Sequence, residues 1–543
     1  MQKKRFLFPA AAAISAAVIC FMAIGCTMEH SKKSDTDFDV IVIGSGMGGL
    51  SSAAHLGTKK LRVLLLEQHD KVGGCTTSFE RDDFTFDASL HEMAGGGPGK
   101  NNRGLFKLLE ITGVDKKVEF IELPHFYRSV FPGIDITLPN NWPEFKKVLK
   151  QKWPEEAEGV DKFHKLSSDL MEELLSLKDM FRYSGLKRFF VKAMVPLRQP
   201  TLFKWKDKTF QDLMDECFKN DDIKAVVSQL WVYYGAPVPE QSALISMAAT
   251  EAYLGDGIWH IKGTSQALSD AYAERIQELG GVIQTDTRVT KIIVEDGVAT
   301  GIVTEQGEAF SARYIVANMD PYQLTYRLIG EEHFPADYLE RLENLKPANS
   351  LSGVYLGLNI DLKELGYQDT EIFFNTSKDS MVVYNNMMKG DMENGAVAIT
   401  IYSNYNDPIY APPGKSVVVL NAFSSIDVWP EYQSEAYYEM KEQKENELIA
   451  LASKVIPELG NSDVIEVREG FTPHTIKRYT LNKGGIVYGF YLSPDQWEKI
   501  PNHTPIRNVF IAGNWTQAWH GVGSAQINGW RAARLIMDRE GIE

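Results

Sequence analysis

Gly44, Gly46 and Gly49 lie in the run Gly44-Ser45-Gly46-Met47-Gly48-Gly49, and an acid, Glu67, follows 18 residues after Gly49. Glycines at this spacing suit a loop that wraps a pyrophosphate. Gly44 makes a tight turn, Gly46 lets backbone approach the phosphates, and Gly49 lets a helix touch the neighbouring strand. Ser45 and Gly48 belong to the same loop and are counted with it. Glu67 supplies a carboxylate to accept the hydroxyls of an adenosine ribose. The chemistry is non-covalent capture of a dinucleotide.

The flanking elements have the order this capture needs. Asp39-Val-Ile-Val-Ile43 is a short apolar, β-branched run and reads as a buried strand. Leu50–Leu56 reads as a helix whose N-terminus faces the phosphates, and Leu61–Leu66 reads as a second strand ending in Glu67. Strand, glycines, helix, strand and acid arrive within 29 residues. A second glycine pair, Gly73-Gly74, follows Glu67 and leads to Phe84-Thr-Phe-Asp87 and His91. NAD enzymes do not need that pair. Enzymes of the amine oxidase and desaturase type do, because their chain runs back along an extended FAD. Towards the other end, Asn508–Ala512 is an apolar strand followed by Gly513-Asn514, and Gly521-Val-Gly523 opens a helix running to Ile536. Backbone N–H groups at that helix start suit the carbonyl of a flavin pyrimidine.

With these segments in view, the chain resembles the FAD-dependent family of phytoene desaturases, carotenoid isomerases and retinol saturase. The pattern Gly73-Gly74-Cys75 … Phe79, Phe84 … Asp87 … His91 is most similar to the retinol saturase branch. Gly263-Thr264, Gly280-Gly281, Thr472-Pro473, Arg478-Tyr479, Gly484-Gly485 and Tyr488-Gly489 extend the likeness over nearly the whole chain. It departs from the pattern at Thr264 and at Asn514, where relatives often have Gly and Asp. The resemblance implies an α/β fold: a Rossmann-type FAD-binding domain, amine oxidase/desaturase-like, with an inserted α+β substrate domain. It implies FAD held by Gly44, Ser45, Gly46, Gly48, Gly49, Glu67, Gly74, Gly513, Asn514 and Gly523, with the backbone near Val289 against the adenine. The expected segments are 37–100, 255–325 and 465–543 for FAD binding, and 101–254 and 326–464 for the substrate. The first substrate segment reads as mostly helical.

Flavin supplies the redox step, so the protein must position substrate and manage protons. His91 follows the Asp87 segment, which in the family runs near the flavin, and His520 sits in the loop before the last helix. Either imidazole could exchange the proton that accompanies hydride transfer. Each could equally be a hydrogen-bonded structural histidine. Trp515, Trp519 and Tyr488 either wall the pocket or fill the core, Cys75 reads as a small packed residue, and Arg478 either binds a carboxylate or pairs with an acid. The implied reaction is saturation or desaturation of a carbon–carbon bond in a lipophilic, isoprenoid or polyene, substrate. Isomerisation of a polyene on reduced flavin is an alternative. A non-catalytic prenyl- or lipid-binding carrier is a third, disfavoured by the intact pyrophosphate loop. The electron donor or acceptor is not specified.

Composition narrows the remaining possibilities. The chain has 543 residues, 44% hydrophobic and 24% charged, which excludes a disordered chain. Four cysteines cannot staple it, and none is spaced for a metal. A net charge of −15 argues against nucleic acid. Lys3, Lys4 and Arg5 precede an apolar run to Gly25, then Cys26 and a polar linker over 26–36. Residues 1–25 read as a signal peptide of a bacterial lipoprotein, lipidated at Cys26 and facing the periplasm, or as an uncleaved anchor with the body in the cytoplasm. Residues 178–208 hold nine basic and two acidic side chains among aromatics, a pattern suited to a membrane surface or to a solvated helical lid.

Overall fold

Past Asp39, which pairs with Arg62 and Arg313, β1 (Phe38–Ile43) is apolar, as is β2 (Val63–Leu66), because both faces of their sheet are covered there, leaving no solvent side for polar residues to occupy. In the computed structural model of the chain, residues 36–95, 97, 104–180, 198–496, 498–517 and 519–542 are described. The two large sheets belong to one unit, Asp37–Glu543. Residues 1–35, with Cys26, and residues 181–197 of the basic stretch lie outside the described residues.

The first sheet has the order β10-β2-β1-β13-β12-β11, with β19 also on β13. Here β10 is Val282–Gln284, β11 Val289–Glu295, β12 Val298–Thr304, β13 Ala309–Ala317 and β19 Val509–Ile511. Strands β10, β2, β1, β13 and β19 run parallel, with Ile41 opposite Leu64 and Ile315 opposite Val509. β11 and β12 add antiparallel, turning at Asp296-Gly297. Helix α1 (Met47–Thr58) crosses from β1 to β2, α4 (Thr264–Glu278) packs beside it, and α6 (Val522–Glu540) lies across it. The α1–α6 crossing is close enough to require glycine: a Cβ on Gly529 would lie 2.2 Å from the Gly48 carbonyl oxygen.

The second sheet has the order β18-β14-β17-β16-β15-β7-β8. These are Ile465–Phe471, Ser350–Leu358, Ser416–Ser424, Ala396–Ile401, Glu371–Asn375, His125–Phe131 and Ile134–Pro139. It is antiparallel except where β15 meets β7. Helix α5 (Glu435–Ala452) packs against it. Residues two apart share a sheet face, and Leu351, Tyr355, Phe373, Asn375, Asn421 and Phe423 all line a cavity. Helices α2 (Ala157–Met180) and α3 (Ala243–Asp256) stack on each other and join the same core.

One detail differs from the sequence reading. Ile465–Phe471, grouped with the FAD-binding segments, is an edge strand of the second sheet, paired with β14 from Gly353↔Phe471 to Leu358↔Ile465. Segment 101–254 is mostly helical and also contributes β6 (Phe120–Glu122), β7 and β8. β6 joins β9 (Ile258–Ile261) and β5 (Met93–Ala94) in a small sheet, and β3 (Ser78–Arg81) pairs β4 (Phe84–Asp87). In the described part of 178–208, Trp205 is buried, while Lys204 and Lys206 pair with Glu216 and Asp207.

Candidate active site

The loop after β1 is shaped by its glycines. Gly44 has φ +90°, and a Cβ on Gly49 would fall 2.0 Å from the Gly44 carbonyl oxygen, so the loop folds flat onto the helix start. Gly46 is the N-cap of α1 and gives it no side-chain cap, leaving first-turn N–H groups for an anion. Glu67 leaves the end of β2 buried. Its Oε2 accepts the Ser45 N–H at 2.8 Å and the Ser45 hydroxyl at 2.6 Å, and its Oε1 accepts the His69 N–H at 3.1 Å. Gly74, from the second glycine pair, sits against this loop; a Cβ there would be 3.1 Å from Gly46 Cα.

The distal segment closes on the same place. A Cβ on Gly48 would meet the Gly513 nitrogen at 2.5 Å. Asn514 Oδ1 is buried and has no partner among the described residues. Gly521 caps α6 without a side-chain bond, and a Cβ on Gly523 would meet nothing within 4 Å. Two uncapped helix starts thus open into one cavity of about 1500 Å³, which Glu67, Val289 and Asn514 also line. The sequence reading missed Asn318. It ends the strand run at β13, and its side chain is wedged against Gly46 and Gly513. Its only local sign was an amide closing an apolar run.

These features test the site against FAD, and they fit. The glycine loop is packed too closely to admit a Cβ, the Glu67 carboxylate lines the cavity beside it, and a residue of the cavity wall, Asn514, has an orphaned buried amide oxygen. Gly44, Ser45, Gly46, Gly48 and Gly49 would hold the pyrophosphate, Glu67 the ribose, and the start of α6 the flavin pyrimidine.

Beyond the cradle the cavity is mostly apolar and reaches the second sheet. His520 lies on its wall, buried, with Nε2 2.8 Å from the Phe490 carbonyl oxygen and its ring 5.6 Å from that of Tyr488. A carbonyl only accepts, so Nε2 carries the proton. Burial, and secondarily the Lys499 charge, hold this imidazole well below its ordinary pKa, so it is neutral. Trp519 and Tyr488 line the cavity; Trp515 does so while packing edge-on against Phe490. Cys75 has accessible surface and lines the cavity, where the sequence reading has a small packed residue. Arg478 is exposed and lies over the Tyr479 ring, away from the cavity.

His91 also lines the cavity, with its ring 5.3 Å from Tyr233, and burial pushes its pKa down to about 4. Its backbone is clamped from behind. Asp87 Oδ1 accepts the Ser265 N–H at 2.8 Å, Tyr410 donates to Asp87 Oδ2 at 2.6 Å, His260 Nε2 lies 2.7 Å from that hydroxyl, and His260 Nδ1 lies 2.7 Å from the His91 carbonyl oxygen. Among the described residues no cluster of His, Cys, Asp and Glu is placed to hold a metal.

Fold and cradle together define a flavin-dependent oxidoreductase with FAD as its cofactor. The chain matches the family described as flavin containing amine oxidoreductase over residues 47–537, and it belongs to that family. It is 23% identical to an all-trans-retinol 13,14-reductase of Danio rerio over 520 residues, 89% of this chain and 83% of that one. It is 26% identical to a chloroplastic prolycopene isomerase 1 of an Oncidium hybrid cultivar over 537 residues, 96% and 87% of the two chains. An oxidoreductase from Methanosarcina mazei has the same fold, with a TM-score of 0.59 at 16% identity, covering 91% of this chain and all of that one.

Proposed function

We propose that the protein transfers hydride to or from a carbon–carbon bond of a long apolar polyene, of isoprenoid type. The observation that carries this is the continuous, mostly apolar cavity running from the phosphate cradle to Tyr355, Phe373 and Phe423 of the second sheet. Bound FAD supplies the two-electron chemistry. The chain's own residues shape the channel, exclude water and hold His520 neutral beside it. Isomerisation is a second reading, favoured by the length of the match to a prolycopene isomerase.

The test uses the full chain, purified in detergent. The flavin is reduced anaerobically with dithionite, all-trans-retinol or a poly-cis carotenoid is added, and flavin absorbance and product mass are followed. Flavin reoxidation with two hydrogens gained by the polyene supports saturation. An isomer of unchanged mass, with flavin still reduced, supports isomerisation. Polyenes left untouched by an FAD-loaded protein overturn both.

The same reading includes a membrane-bound lipophilic substrate, and we propose a membrane tether to match. Support comes from the basic head, apolar run and Cys26, and from the basic stretch 178–208. The favoured form is a lipoprotein facing the periplasm; the other is an anchored protein with its body in the cytoplasm. Cys26→Ala should abolish lipid labelling and release from the membrane should follow. Unchanged membrane attachment without labelling would favour the anchor.

A further inference from the structure

Glu92 is a buried acid on the wall of the substrate cavity, with no basic partner among the described residues. It is 6% exposed and lies between His91 and β5. One carboxyl oxygen, Oε1, accepts the Tyr233 hydroxyl at 2.8 Å, while Oε2 is buried with no partner among the described residues. The groups that act on it come from every side. Tyr233 and Tyr234 belong to the short helix Trp231–Tyr234, Tyr253 to α3, Tyr127 to β7 and Glu371 to β15, and His91 precedes it in the chain. None of these is a cation at neutral pH. A carboxylate here would be desolvated beside a second buried acid, and both effects favour the neutral form; burial raises Glu92 well above the usual carboxyl range.

Position adds to protonation. The Asp87–Tyr410–His260 clamp on the His91 carbonyl holds the backbone directly before Glu92. Tyr233, its hydrogen-bond partner, is followed by Tyr234, and the backbone of Tyr234 acts on His520. One helical turn therefore links Glu92 to the histidine before the α6 start, at the flavin end of the cavity. An acid O–H in the wall of an apolar channel, with no acceptor among the described residues, has substrate as its remaining partner.

We propose that Glu92, held by Tyr233, is the proton donor to the polyene carbon. This rests on the saturation reading above. In the reduction of one C=C bond, one carbon takes hydride from the reduced cofactor and forms a C–H bond. The O–H bond of Glu92 breaks, and its proton forms the second C–H bond as the π bond is lost. The polyene gains two electrons and two hydrogens, the cofactor is left oxidised, and Glu92 is left as a carboxylate that regains a proton from solvent. Dithionite serves as the reductant in the test.

The test compares wild type with Glu92→Gln and Tyr233→Phe as full-length, FAD-loaded proteins. The infrared carbonyl stretch of a protonated carboxylic acid at neutral pH should be present in wild type and diminished in Glu92→Gln. Single-turnover reoxidation of the dithionite-reduced protein by all-trans-retinol should fall by about 100-fold or more in Glu92→Gln, with its flavin spectrum intact. Wild type should slow at alkaline pH as the acid ionises, and Tyr233→Phe, which removes a bond favouring the ionised form, should shift that limb to higher pH. Glu92→Gln turning over at the wild-type rate, or no protonated-acid band lost, overturns the proposal alone. Wild type that binds FAD but leaves retinol unchanged overturns the polyene reading and this proposal with it.

Discussion

Ser45 and Glu67 are bound to each other twice: the carboxylate that closes β2 accepts both the backbone N–H and the hydroxyl of the residue that opens the phosphate loop. The loop is therefore shaped before any ligand arrives, by an acid that also lines the cavity. Glu67→Ala strands a buried N–H and hydroxyl, which costs about 1–3 kcal/mol. The expected outcome is a lower urea midpoint together with a reduced flavin-to-protein ratio. A variant with normal flavin content would remove Glu67 from cofactor binding.

Gly529→Ala should be among the most damaging small substitutions in the protein. The added methyl meets the Gly48 carbonyl at 2.2 Å, and backbone cannot swing away as a side chain can. Parting the helices should cost about 2 kcal/mol or more, because overpacking a close crossing displaces whole elements. Thermal unfolding with and without added FAD measures it.

His520→Ala should keep bound flavin and lose turnover. The ring touches the Phe490 carbonyl and Tyr488, not the phosphate loop. Because His520 is neutral well below the usual imidazole range, wild-type turnover should show no step near pH 6.5 belonging to it. Full activity in the alanine variant would discard the role.

His55 gives a pH test of the fold itself. It is buried in α1, with Nδ1 2.7 Å from the Ser51 carbonyl oxygen, and burial pushes its pKa down to about 4. The unfolded chain takes up that proton near pH 6.5, the folded chain only near 4. The stability His55 allows is complete above pH 6.5 and is lost as pH falls towards 4. Between pH 7 and pH 5 wild type should lose about 2 kcal/mol more than His55→Gln. Urea titrations of the two at both pH values decide it.

The cradle was legible in the sequence because its parts are local. Strand, turn, helix and acid follow one another, and Gly44 and Gly49 touch across one turn. The edge strand Ile465–Phe471 was misplaced because its pairing with Ser350–Leu358 has no local trace; an apolar strand reads alike in either sheet. Glu92 was visible as a residue but not as an acid of unusual character. What changes it is burial by elements distant in sequence, with a second buried acid, Glu371, beside it; the Tyr233 hydrogen bond only partly offsets this. The clamp behind His91 was hidden for the same reason, since Asp87, His260 and Tyr410 meet only in the folded chain.

The meeting of Gly48 with Gly513 and Gly529 has a consequence for biosynthesis. One lip of the cofactor cradle is made early on the ribosome and the other only when α6 emerges. A nascent chain can form β1, α1 and β2 long before it can grip FAD, so α1 waits with an apolar face uncovered while the second sheet is being made. Flavin uptake is then a late event, reporting that the chain has been translated through α6 and correctly threaded. Chains cut short before Val522–Glu540 should emerge colourless and exposed to quality control.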